Sequence, residues 1–92
     1  MLLFCCPNNM SGCDRIIVPL ERVYEIYSFG CDIYVNYDNG ELVETEGKFL
    51  KKIESIKMTF DSADDANKIF RQFYKACSAN AGAFYFGNEK KN

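Results

Sequence analysis

Five cysteines and not one histidine set the terms on which this chain of 92 residues could do chemistry. Cys5, Cys6 and Cys13 fall in the opening stretch MLLFCCPNNMSGCDR, whereas Cys31 and Cys77 stand alone. A structural zinc ion takes four ligands, usually as close pairs across a short turn. Adjacent Cys5 and Cys6 are poorly placed to chelate one ion together, and no histidine replaces the missing ligands, so no metal is expected. An odd cysteine count without an export signal also speaks against a disulfide framework. A lipid anchor at Cys5 or Cys6 wants small residues ahead of it, and Phe4 breaks that pattern. Cysteine without such partners behaves as a small apolar side chain. LLFCC, stopped by Pro7, therefore reads as an apolar end segment that pairs as an edge strand or docks on a neighbouring chain. Met10 is a second candidate initiator, in which case residues 1–9 lie upstream of the protein.

The missing histidine removes the commonest general base and every Ser–His or Cys–His nucleophile pair. The six glycines are scattered singly, with no loop to cradle a phosphate. Paired carboxylates remain, at Asp64/Asp65 and Glu44/Glu46. The aspartates follow Ser62, where the start of a helix favours acidic groups. The glutamates are spaced to share one wet strand face. No catalytic residue and no cofactor is expected, and the chain reads as a non-enzyme.

Thirteen acidic against eleven basic residues leave a net charge of −2, which is no surface for displacing counterions from a nucleic acid. Lys48, Lys51, Lys52 and Lys57 form the most basic neighbourhood, read as a soluble turn. No apolar run is long enough to span a membrane. MLLFCCP lacks the basic start and apolar length of a signal peptide. The expectation is a cytoplasmic protein with no membrane partner.

The elements that must position these groups follow from periodicity. RIIVPL, ended by Pro19, suits an edge strand. One turn of 3₁₀ or irregular chain then leads into a strand near 23–29, with a bend at Gly30. CDIYVNY alternates, Cys31, Ile33, Val35 and Tyr37 on one face and Asp32, Tyr34 and Asn36 on the other. Asn39-Gly40 predicts a tight hairpin turn, with ELVETEG as the returning strand. KFLKK reads as a turn or distorted strand. IESIKMTF resumes the alternation, with Ile56, Met58 and Phe60 inward. Ser62, three residues before Asp65, opens a helix whose stripe Ala66, Ile69, Phe70, Phe73 and Cys77 docks on a sheet. Asn80 and Gly82 end it. AFYF can make a last short strand, and residues 88–92 should fray.

The sum is α+β in two layers: an antiparallel meander of three to five strands with one C-terminal amphipathic helix on one face. Residues 1–14 form the apolar start and polar turn, and 15–87 a single domain. The order of a meander followed by a capped helix is similar in layout to some pleckstrin-homology-like modules, a likeness that implies no function.

Eight phenylalanines and six tyrosines are many large rings for one helix and one sheet to hide. Tyrosine is enriched in interfaces because it couples apolar area to a polar tip. The expected function is a non-catalytic module that self-associates as a homodimer and binds a protein partner through Tyr24, Tyr27, Phe29 and Tyr34, together with the end strands. A phage- or mobile-element-encoded inhibitor of a host protein is one specific form of it. The alternative is single-stranded nucleic-acid binding, with sheet aromatics stacking on bases and Lys51, Lys52 and Lys57 holding phosphates.

Overall fold

The structure is a computed structural model, and the residues it describes are 1–6 and 16–86. Cys13, Met10, the polar turn after Pro7 and the tail 88–92 lie outside the described residues. The fold is α+β. In chain order the strands are β1 (Leu2–Cys5), β2 (Ile16–Pro19), β3 (Val23–Phe29), β4 (Asp32–Thr45), β5 (Lys48–Thr59) and β6 (Ala83–Tyr85). One helix, α1 (Ala63–Ser78), separates β5 from β6, and a 3₁₀ turn, Leu20–Arg22, leads into β3 as expected.

The strands form two sheets. The expected antiparallel meander is the sheet β3-β4-β5, and the ends of the chain build a second sheet in the order β2-β1-β6. LLFCC is therefore not an edge strand. It is the centre of that second sheet, antiparallel to β2 and parallel to β6. One face of β1 lies on the core, so Leu3 and Cys5 are fully buried while Leu2 is exposed.

Both sheets and α1 share one core. Leu3, Cys5 and Val18 come from the terminal sheet, Ile33, Val35, Ile56 and Met58 from the meander, and Ala66 and Phe73 from the helix. Phe73 meets Phe84 edge-on at 5.5 Å and lies 5.4 Å from Phe86, so three rings close the core where α1 crosses the chain's last strand. Burial of Ala66 and Phe73, with Ile69, Phe70 and Cys77 packed beside them, matches the expected stripe. At the start of α1 the Ser62 Oγ accepts from the Asp65 backbone N–H at 3.1 Å. Beyond the end, Asn80 takes the left-handed backbone that terminates helices, with φ 58°.

The hairpin turn expected at Asn39-Gly40 is elsewhere. β4 runs through that dipeptide as a bulge: Asn39, Gly40 and Glu41 together face Lys52, between the pairs Asp38↔Ile53 and Leu42↔Lys51. Asp38 Oδ1 accepts from the Gly40 N–H and Asn39 Oδ1 from the Glu41 N–H, so short side chains satisfy the backbone that the bulge takes out of the ladder. Gly40 has φ 90°, and a Cβ there would meet the Arg22 guanidinium at 3.0 Å. The reversal comes at Glu46-Gly47, both with positive φ (53° and 78°), as a two-residue turn between matched strands requires. The reason is the ladder itself. Pairing continues for another four residue pairs, Leu42↔Lys51 to Thr45↔Lys48, which a turn at Gly40 would forfeit. KFLKK, expected as a turn or a distorted strand, is the start of β5. The result is one long hairpin whose outer half, residues 40–53, projects as an exposed arm from a molecule measuring 49 × 30 × 23 Å.

Candidate functional site

Alternation along the meander assigns each side chain to a face. Ile33, Val35, Ile56 and Met58 point into the core, so the residues between them line the face away from α1. Across that outer face Tyr27 pairs with Tyr34, Tyr34 with Lys57, Phe29 with Asp32, and Asp32 with Thr59. The Tyr27 and Tyr34 rings stack, centroids 4.8 Å apart and planes 13° from parallel. This cross-strand pair is the centre of the face. Tyr24 is the extra residue of a bulge in β3 between the Val23 and Glu25 pairings, and its side chain is 70 % exposed. Phe29, at the last position of β3, is 73 % exposed.

Of the four residues singled out from the sequence, Tyr27, Phe29 and Tyr34 share the face that the helix leaves uncovered, and Tyr24 is exposed in the bulge of the edge strand β3. They form a row along β3 and its neighbour, flanked by Glu25, Asp32 and Lys57. A hydrogen bond from Thr59 Oγ1 to Asp32 Oδ1 (2.7 Å) ties the rim of that surface across β4 and β5.

The lysine set divides. Lys51 lies on the outer face, its Nζ 3.6 Å from Asp38 Oδ2. Lys57 is on the same face beside Tyr34. Lys52 points to the opposite face, with its Nζ 3.6 Å from Glu41 Oε1 and 3.8 Å from Glu54 Oε2. Lys51 and Lys52 thus lie close to carboxylates, and such exposed pairs are worth little in stability. The three lysines do not form one cradle for phosphates.

The carboxylate pairs also separate. Asp64 and Asp65 are exposed in the first turn of α1. Glu44 lies on β4 opposite Phe49, and Glu46 is in the turn, so they do not share a strand face. Among the described residues no group of three His, Cys, Asp or Glu side chains could hold a metal ion. Burial pushes the Cys5 thiol up to about 12, with Cys6 adding to the rise. Cys5 is therefore a neutral packing group at physiological pH. Burial also raises the Tyr37 hydroxyl, helped by Glu54 and then Cys5.

One apolar surface escaped the sequence reading, and a second was expected only in outline, from the end strands. On the arm, Leu42, Val43, Phe49, Leu50 and Ile53 are all exposed, Phe49 at 67 %. The signal was Glu46-Gly47, a second dipeptide able to turn the chain, which makes KFLKK a strand. On the outer face of the terminal sheet, Ile17, Phe4 and Tyr85 stand side by side, the last two stacked at 4.5 Å. That row required knowing that β1 lies between β2 and β6.

Among the described residues no helix is long and apolar enough to cross a membrane. Compared with protein-family models, curated proteins and solved structures, the chain matches none.

Proposed function

We propose that this protein is a non-catalytic interaction module that self-associates and docks on a protein partner through the outer face of its meander. One observation carries the reading: the stacked Tyr27–Tyr34 pair sits on the uncovered sheet face with Phe29, while Tyr24 is in the bulge of the same strand, and Tyr24 and Phe29 are each more than two-thirds exposed. Clustered aromatics of this kind are the usual anchors of protein interfaces, and a solitary chain gains nothing by leaving them wet. Glu25, Asp32 and Lys57 around them supply a polar rim of mixed sign. A cytoplasmic setting and an inhibitory role against a host protein, in a phage or mobile element, belong to the same reading.

Mixed charge is also what favours a protein over a nucleic acid as the ligand. A strand-tracking groove needs lysines on one face, and here they are divided between two.

The test is a cross-linking pull-down from the native host, comparing the unaltered protein with Tyr27→Arg and Phe29→Asp. A specific partner should be retained by the first and lost by both variants at unchanged melting temperature. Equal retention by all three overturns the reading. Low-salt binding of a labelled oligonucleotide, weakening steeply with salt, would put the nucleic-acid reading in its place.

A further inference from the structure

Among the described residues four strands lie at sheet edges, and three are poorly made for pairing. β2 is short and ends at Pro19, β6 has 3 residues, and β3 carries the Tyr24 bulge. β5 differs. It runs 12 residues with the irregularity of its hairpin confined to β4, and β4 is its one neighbour in the sheet. We infer that β5 pairs antiparallel with β5 of a second copy of this chain, about a two-fold axis through Ile53, to make one continuous six-stranded sheet. The inference deepens the self-association in the reading above and rests on it for the expectation of a dimer.

Charge complementarity selects the register. A two-fold axis normal to a sheet keeps each side chain on its own face, so the pairing must centre on a residue and can slip only from residue to residue. Centred on Lys52, the pairing sets Lys52 against its own copy. Centred on Glu54, it sets Glu54 on Glu54 and Lys51 on Lys57. Centred on Ser55, it avoids like charges but places Glu54 on Ile56 and leaves Phe49 and Leu50 uncovered. Centred on Ile53, it opposes Lys52 to Glu54, Leu50 to Ile56, Phe49 to Lys57, Lys51 to Ser55 and Ile53 to itself. Opposite charges meet, aliphatic residues meet, and a lysine lies beside an aromatic ring.

The same register covers the arm. Each arm lies along the body of the other copy, so exposed Phe49, Leu50 and Ile53 gain neighbours. The lysines that guard a lone edge against random pairing here specify one partner and one alignment. An edge of this length is below the usual 20–30 residues a side, so the expected Kd is on the order of micromolar.

Sedimentation equilibrium at about 100 μM, roughly a hundred times that Kd, tests this on the full chain. The unaltered protein should run at twice its 10.6 kDa chain mass. Lys52→Glu and Glu54→Lys should each weaken the dimer at least ~10-fold by setting like charges opposite, and the double exchange should restore it. As a second measurement free of charge changes, oxidation of Ile53→Cys should give a bond between the two engineered thiols, mapped by peptide mass spectrometry, while Leu42→Cys should not. A monomer at this concentration overturns the inference. So does a dimer indifferent to both charge variants. Tyr27→Arg must leave the dimer intact; a dimer lost with it would move self-contact to the aromatic face and overturn the β5 register. The partner pull-down is a separate readout, so either reading can fail alone.

Discussion

The two halves of the β4–β5 hairpin have the same ladder, the same strands and much the same apolar content, yet opposite fates. In the half nearest the helix, Ile33, Val35, Ile56 and Met58 are buried; beyond the bulge, Leu42, Val43, Phe49 and Leu50 are exposed, as is Ile53 at its near side. Nothing in strand propensity separates them. What separates them is face and cover: the first four point at α1 and the terminal sheet, whereas Leu42, Phe49 and Ile53 lie on the outer face, and Val43 and Leu50, though on the inner one, belong to the exposed arm. The lesson is that alternation states which side chains share a face, while burial depends on what arrives to lie on it.

The largest effect should come from removing that cover. A chain that starts at Met10 lacks β1, leaves β2 and β6 without the strand between them, and should lose cooperative folding altogether, read by far-UV circular dichroism and amide dispersion. A folded spectrum would show that the terminal sheet is dispensable and the comparison misplaced. Next, matched truncations on one strand should differ sharply. Ile33→Ala should cost about 2–5 kcal/mol in urea unfolding, and Leu42→Ala no more than about 0.5 kcal/mol in the monomer. Equal costs would mean that the arm is already packed within one chain.

A smaller effect should follow from titrating the cover. In the folded state burial pushes the Cys5 thiol up to about 12, whereas an unfolded cysteine ionises near ~8.5. The group's contribution is therefore fully present below about pH 8.5 and is lost as pH rises toward 12, Tyr37 acting in the same direction. Urea midpoints should hold steady from pH 6 to 8 and fall above pH 9, by roughly 2 kcal/mol at pH 10. Cys5→Ala should flatten that slope. The most local effect belongs to the arm's tip. Gly47→Ala places a Cβ at φ 78° and should cost about 1–2 kcal/mol locally. It should speed hydrogen exchange at Leu42–Thr45 without changing exchange at Ile33 or Val35. At low micromolar concentration the arm amides should exchange at least ~100-fold faster than those of the covered half. Their protection should rise as the protein is concentrated, if the β5 edges pair.

Much of the covered half was legible without coordinates. Ile56, Met58 and Phe60 alternate plainly, the helix stripe has its 3.6-residue period, and Ser62 sits where a cap must. Tyr27 and Tyr34 could be placed on adjacent strands, but that they lie directly opposite and stack depends on a register the chain reaches only on pairing. The Asn39-Gly40 turn was misread for a definite reason. A dipeptide able to take positive φ serves a bulge as well as a turn, and the choice falls to the pairs that can form further out. Leu42↔Lys51 to Thr45↔Lys48 made the bulge the better use.

From the chain alone came what local physics decides: which residues alternate, where a helix starts and stops, and that a protein without histidine has lost its readiest proton carrier. Tertiary structure decided that LLFCC is the centre of a sheet, that β1 meets β6 in parallel across nearly the whole chain, and that five apolar residues on the arm stay wet. Periodicity is written in neighbours a few residues apart. Pairing and cover are contacts between distant segments, and their free energies exist only once those surfaces have met.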